Sequence, residues 1–235
     1  MLKVENTEIY GWESSIRGMR NPMNSWDKSD TEYKLILDSK CSEDVEKAKI
    51  CGNVLVEIGQ NDLKLMQSLV KAGSDHSKFM RMINVTCDIT APLYWWKEFD
   101  TYKVGTVRNS CSTMHKIHAK EFTLDDFSHE HLINSAKYRL EEFIGTLNNY
   151  RDMFLNFENE TETIKKAFDN DKKNVWWQMI QMLPSSYNQK RTLHLNYQVL
   201  KAMYFARRNH KLDEWHTLCD WMEGLPYLRD ICIQE

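Results

Sequence analysis

Residues 76–115 read HSKFMRMINVTCDITAPLYWWKEFDTYKVGTVRNSCSTMH, and the order of patterns inside this stretch decides the fold class. From Phe79 to Ile89, the set Arg81, Ile83, Val85, Cys87 and Ile89 alternates with Met80, Met82, Asn84, Thr86 and Asp88, which is the period of a central strand. Thr90 can cap a following helix whose first turn tolerates Pro92. The body of that helix, LYWWKEF, is largely apolar and is expected to be buried. A polar loop containing Gly105 comes next. A strand, a Pro-started aromatic helix and a polar loop in immediate succession make this stretch the first candidate for a site.

Working outward toward the N-terminus, Leu2, Val4 and Ile9 suit an opening strand, whereas Gly11 to Asp30 is rich in Gly, Asn, Pro and Ser and is expected to be a loop. The run EYKLIL, 32–37, reads as a strand. Ser42 can cap a helix reaching Ile58, with Glu43, Asp44 and Glu46 in or near its first turn. Asn61 or Asp62 caps another, which carries Leu63, Leu65, Met66, Leu69 and Val70 at helical spacing and closes at Gly73.

Beyond Phe122 the patterns are helical. His131–Asn148, Tyr150–Phe157, Glu160–Phe168 and Asn174–Leu183 keep three-and-four spacing, and Pro184 stops the last of them. Leu193–Arg208 is predicted as one long helix with Asn196 and Arg207 three turns apart on roughly one face, and Leu212–Met222 is the final helix. The expected architecture is α+β: a small twisted sheet flanked by many helices. It forms a single domain over residues 1–235, in which 1–30 is a peripheral N-terminal segment.

The chain has 235 residues, 42 % hydrophobic and 28 % charged, with a formal net charge of −3. Such a balance suits a globular protein and offers no electrostatic argument for nucleic acid or an anionic membrane. The N-terminal MLKVENTEIYGWESS has neither a basic start nor an apolar run, so no signal peptide or transmembrane helix is expected. The six cysteines include no CxxC pair and are expected as free thiols in a reducing cytoplasm.

Several constellations invite chemistry, and each has a plainer role beside it. Cys111, His115 and His118 match no structural zinc spacing, so no metal site is expected. Ser110 and Ser112 beside Cys111 and His115 lack a GxSxG elbow or a thiol-protease signature, and a loop of small polar residues is the simpler account. The doublets Trp95-Trp96 and Trp176-Trp177 offer indole faces to a planar ligand, but core packing is the default. Neither GxGxxG nor GxxxxGK[ST] occurs, which excludes a dinucleotide fingerprint and a P-loop.

The order of these features resembles the flavin-dependent thymidylate synthases, the ThyX family. There a His precedes a strand, a Pro opens the next helix, and the signature Arg-His-Arg-x-x-Ser-x-Asn-Glu-x-Ser-x-Arg-Tyr follows. Here His76 stands at the His position, Pro92 opens the helix, and Thr101, Tyr102 and Lys103 stand where Arg-His-Arg would be. With one extra loop residue, Thr106 replaces the first Ser, Asn109 matches the Asn, Ser110 stands for the Glu, Ser112 matches the second Ser, and Met114-His115 replace Arg-Tyr. Downstream, Leu183-Pro184, Asn196, Arg207 and His210 recur in the family's order and at closely similar spacing.

The resemblance implies a homotetramer with sites at subunit interfaces, FAD held across them, and methyl transfer to dUMP from methylenetetrahydrofolate without an enzyme nucleophile. NADPH would be required as well where activity is retained. It implies His76, Lys103 and Asn196 beside the flavin, Asn109 and Ser112 lining the nucleotide site, and Arg207 as the catalytic residue that orients the pyrimidine. For Arg207 a salt bridge, and for Asn196 a helix-terminal or packing role, remain open. Thr101 and Met114 lack the bidentate fork that an arginine offers phosphate, and Lys103 keeps charge without that geometry. Two alternatives follow: an oligomeric binding or regulatory protein that has kept the fold and lost flavin and dUMP, or a likeness of architecture alone.

Overall fold

The computed structural model of the chain describes residues 2–35 and 54–233. The strands are β1 (Lys3–Tyr10), β2 (Glu32–Leu35), β3 (Val54–Glu57), β4 (Asn84–Pro92), β5 (Val107–Ser110) and β6 (Asn188–Asn196). The helices are α1 (Trp12–Arg20), α2 (Gln60–Lys71), α3 (Leu93–Phe99), α4 (Asn134–Leu155), α5 (Glu162–Ala167), α6 (Lys172–Met182), α7 (Tyr197–Arg207), α8 (Asp213–Glu223) and α9 (Leu228–Cys232). Four strands hydrogen-bond in the order β1-β4-β6-β5, and β2 pairs antiparallel with β3, Tyr33 opposite Val56. The expected α+β class, a small sheet with many helices, is the one observed.

The chain divides into two compact units, and the division falls inside β4 between Asp88 and Ile89 and inside β6 between Arg191 and Thr192. The first unit holds 89–101 and 109–191. Its helix α3 is buried through Trp95, Trp96 and Phe99, the Trp96 indole N–H donates to the Gln189 carbonyl at 2.9 Å, and the Arg191 guanidinium lies 4.2 Å from the Trp96 ring. A second apolar cluster, Ile117, Phe122, Phe127, Ile144, Leu147 and Met179, joins α4 and α6 to the preceding loop. Fully burying each such side chain is worth ~1.5–3 kcal/mol.

The other unit holds 4–88, 102–108 and 192–235. Trp12 sits edge-on to Tyr197 and Tyr227, with ring centroids 5.4 and 5.9 Å away. Tyr197 donates its hydroxyl to the Pro226 carbonyl at 2.6 Å, and burial pushes that phenol well above its ordinary pKa. The first turn of α2 is capped from a distance, because the Asp30 carboxylate accepts the N–H groups of Asn61 and Asp62 at 2.9 and 3.0 Å. The first of these bonds is the main reason that Asp30 titrates below the usual carboxylate range.

Several local expectations change. Gly11–Asp30 is not a loop throughout: Trp12, Ile16 and Met19 fall at helical spacing and are buried along α1. Residues 79–83 precede the strand, with Lys78–Arg81 as a 3-10 turn, and the alternation holds from Asn84 onward. Thr90 belongs to β4, and Pro92 itself occupies the N-cap position of α3. Leu193–Asn196 are the end of β6 rather than the start of a helix, because Leu193 and Leu195 follow the strand period. His131–Asn148 and Tyr150–Phe157 largely merge into the 22-residue α4, while Val107–Ser110 form a strand in the predicted loop. The helix expected from Ser42 lies mostly outside the described residues, and its last residues, Val54–Glu57, are strand.

Candidate functional site

Helix α7 is the element around which the candidate residues gather. Asn196 ends β6 and caps α7, its side-chain oxygen accepting the Val199 N–H at 3.0 Å, so the buried carboxamide is both the hinge between two elements and the first polar group of the helix. At the other end Arg207 closes the helix. Side chains of a helix lean toward its N-terminus, so the guanidinium folds back along α7 rather than beyond it. There its Nε–H donates to the Tyr102 hydroxyl at 2.9 Å, and its carbon centre lies 4.7 Å from the Trp215 ring and 5.6 Å from that of Tyr102.

The loop 102–106 is shaped to lie against this helix. Thr106 Oγ donates to the Tyr102 carbonyl at 2.6 Å, and the Arg108 guanidinium reaches the same carbonyl at 3.3 Å. Gly105 has φ +71°, and a Cβ there would sit 3.0 Å from Val199 Cγ2 and 3.1 Å from Asn196 Nδ2. Glycine meets both demands, the left-handed backbone and the close approach, at the least cost. One loop therefore touches the first turn of α7 through Gly105 and the last through Tyr102. Lys103 stands between them, exposed and without an ion pair among the described residues.

His76 is exposed in a turn whose N–H bonds the Gly73 carbonyl at 3.2 Å. Its neighbour Ser77 is buried and donates its hydroxyl to Gln198 of α7 at 3.2 Å, which ties this turn to the same helix. Asn196, Arg207, Lys103 and His76 belong to one unit, the His76 turn meeting α7 at Gln198, about 200° around the helix from Asn196. Asn109 and Ser112 are exposed and belong to the other unit. Ser112 Oγ accepts the N–H groups of Met114 and His115 at 3.2 and 3.0 Å, which shapes its own turn.

Two residues escaped the sequence as partners of Arg207. Tyr102 stood in the quoted loop only as a replacement for a family residue. Trp215 gave no signal, since its role depends on α8 returning to α7.

The other constellations fall at mixed depths, from the buried Trp95 and Trp96 to the exposed Cys111 and His115. Cys111 holds the Lys190 carbonyl through its N–H, His118 stacks on Phe154 with centroids 4.6 Å apart, and no three metal-ligating side chains converge among the described residues. Cys87, Cys219 and Cys232 are buried free thiols, pushed up to about 12, 11 and 12 mainly by burial, and Cys111 is free and exposed. Trp95 and Trp96 are core, and Trp176 donates its indole N–H to the Met114 carbonyl at 3.0 Å. No described helix is long and apolar enough to cross a membrane.

No protein-family model matches the chain, and no curated protein sequence is similar to it. Solved structures are. The chain has the mixed helix-and-sheet fold of the flavin-dependent thymidylate synthases. It is similar to thymidylate synthase X from Helicobacter pylori with FAD and dUMP, at 14 % identity and TM-score 0.61 over 99 % of this chain and 97 % of that one. A second Helicobacter pylori structure, flavin-dependent thymidylate synthase ThyX complexed with FAD and dUMP, matches at 14 % identity and TM-score 0.60 over 98 % and 97 %.

Proposed function

We propose that this chain is a divergent flavin-dependent thymidylate synthase-like protein that binds FAD and a pyrimidine nucleotide through the face of α7 between Asn196 and Arg207. The observation that carries this reading is the loop 102–106 lying along α7, a helix almost a hundred residues later in the same unit. The donors there suit an anionic, carbonyl-bearing ligand: the ammonium of Lys103, the guanidinium of Arg207 and the amide of Asn196. The solved structures that share the fold were determined with FAD and dUMP.

In this reading Lys103 pairs with the flavin diphosphate, Asn196 and His76 flank the ring system, and Arg207 holds a pyrimidine carbonyl. Asn109 and Ser112 are proposed on the nucleotide side. A bound flavin would supply hydride for a one-carbon transfer to the pyrimidine ring, drawing the carbon from methylenetetrahydrofolate and the electrons from NADPH. Arg207 orients, and its cation-π shelf on Trp215 fixes the guanidinium in advance. The assembly proposed is a homotetramer in the cytoplasm.

A second reading is favoured by a specific contact. Arg207 already donates to the Tyr102 hydroxyl, and Thr101 and Met114 provide no phosphate fork. Each missing charge-assisted contact costs ~1.5–3 kcal/mol, roughly ten- to hundredfold in affinity. On this account the chain is a non-catalytic binding or regulatory protein that keeps the fold. The flavin absorbance spectrum of the purified protein, before and after FAD is supplied, separates the two. Yellow protein or saturable FAD uptake supports the first; no FAD affinity removes it.

A further inference from the structure

Lys64, Gln67, Ser68 and Lys71 recur at three- and four-residue intervals along α2, so they share one face of it. That face, together with Lys201 and Phe205 of α7 and with α9, lines a half-open cavity of about 720 Å³. Its volume falls in the range of small-molecule sites, roughly 300–1,000 Å³. Its described lining residues include three ammonium groups and no carboxylate, and none of the three lysines holds an ion pair among the described residues. Four cations elsewhere pair with acids: Arg20 with Asp62, Lys34 with Glu57, Lys120 with Asp126, Arg191 with Asp100.

Gathering like charges around one cavity is unfavourable unless an anion completes it. The cavity also has an apolar side. Phe205 is 45 % exposed, and Val70 and Ile231 join it in the lining. Gln67 donates its side-chain N–H to the Asp230 carbonyl at 3.0 Å, which fixes α2 to α9 across the cavity wall. Lysines are compact charges on flexible stems and suit phosphate oxygens without demanding a planar geometry.

The site is separate from the one proposed above. Lys201 and Phe205 follow Asn196 by five and nine residues, which at ~100° per residue places them on the opposite side of α7 from the Asn196–Arg207 face. The geometry points to this groove as a second binding site, for a soluble organic phosphate of at least two negative charges whose nucleoside-sized aromatic portion rests on Phe205.

Calorimetric titration of the full chain with ADP, inorganic pyrophosphate and adenosine tests this, alongside sedimentation with phosphatidylserine vesicles. ADP is expected to bind more tightly than pyrophosphate or adenosine. The double variant Lys71→Glu/Lys201→Glu is expected to weaken ADP by roughly tenfold or more, since each charge-assisted contact is worth about that factor. Phe205→Ala should weaken ADP and leave pyrophosphate unchanged. Lys64→Gln and Lys201→Gln, taken singly, give the same ordering if the charge reversal fails to fold. The assignment is overturned if ADP does not bind, if its binding ignores the lysine variants or Phe205→Ala, or if the chain sediments with vesicles while ADP does not bind.

Discussion

Asp62 and Lys64 are two residues apart on α2, and the two sides of this helix treat charge in opposite ways. Asp62 is completely buried, and one of its oxygens accepts the Arg20 Nε–H at 2.6 Å. The other oxygen accepts the hydroxyls of Ser29 and Thr31, both at 2.6 Å, and the N–H groups of Asp30 and Thr31 at 3.2 and 3.1 Å. The Arg20 guanidinium reaches on to the Ser25 carbonyl at 3.2 Å. Every charge on that side is completed by the chain itself, so its role is to hold 20–31 against α2. On the lysine side no described residue supplies a counter-charge.

The sharpest way to break this comparison is Asp62→Ala. It strands the Arg20 cation in the interior and is expected to cost about 3–5 kcal/mol in chemical denaturation. The double change Arg20→Met/Asp62→Leu removes both charges together and should cost clearly less. Equal losses would mean that the pair stabilises as an attraction rather than by mutual compensation.

His118 shows a third treatment of charge and a smaller effect. Its Nδ1 is buried with no hydrogen-bond partner among the described residues, and burial first, then Lys116, Lys172 and Arg151, hold its pKa below the ordinary value of 6.5. The unfolded chain therefore takes up a proton here at a higher pH than the folded one. The stability contributed by the neutral ring is present above about 6.5 and is lost as the pH falls below it. Denaturation midpoints between pH 7.5 and 5.5 should decline less steeply in His118→Asn than in the parent, and parallel slopes would reject this. Smallest of all, Lys64→Ala and Lys71→Ala should change stability by no more than about 0.5 kcal/mol, as for surface positions without a structural partner. A large loss would show that the lysine face is structural after all.

What the sequence could show depended on how local the cause was. The alternation of Val85, Cys87 and Ile89 is a property of neighbours, and β4 was legible from it. So was α2 from its apolar spacing. The helix α1 was hidden because Trp12, Ile16 and Met19 are separated by Ser, Arg and Gly, whose composition resembles a loop. Leu193, Leu195 and Leu200 satisfy a strand and a helix equally well over so short a run, and only the cap at Asn196 marks where one becomes the other. Within the candidate site, Asn196, Arg207 and Lys103 could be singled out from the resemblance. The Tyr102–Arg207 bond could not, since it joins residues 105 apart in the chain. The lysine groove is assembled from three helices, none of which carries an unusual pattern alone.

Gly105 turns this dependence into something a sequence can be searched for. Its hydrogen in place of a side chain is what lets the loop rest on the carboxamide that starts α7. A distant homologue that keeps the same arrangement must keep glycine at that place, together with a helix-capping side chain at the position of Asn196. Where the glycine is lost and the cap is kept, the ancestral juxtaposition has been abandoned, whatever the remaining similarity. This pair of positions would sort chains that keep the loop-helix contact from those that keep only the architecture.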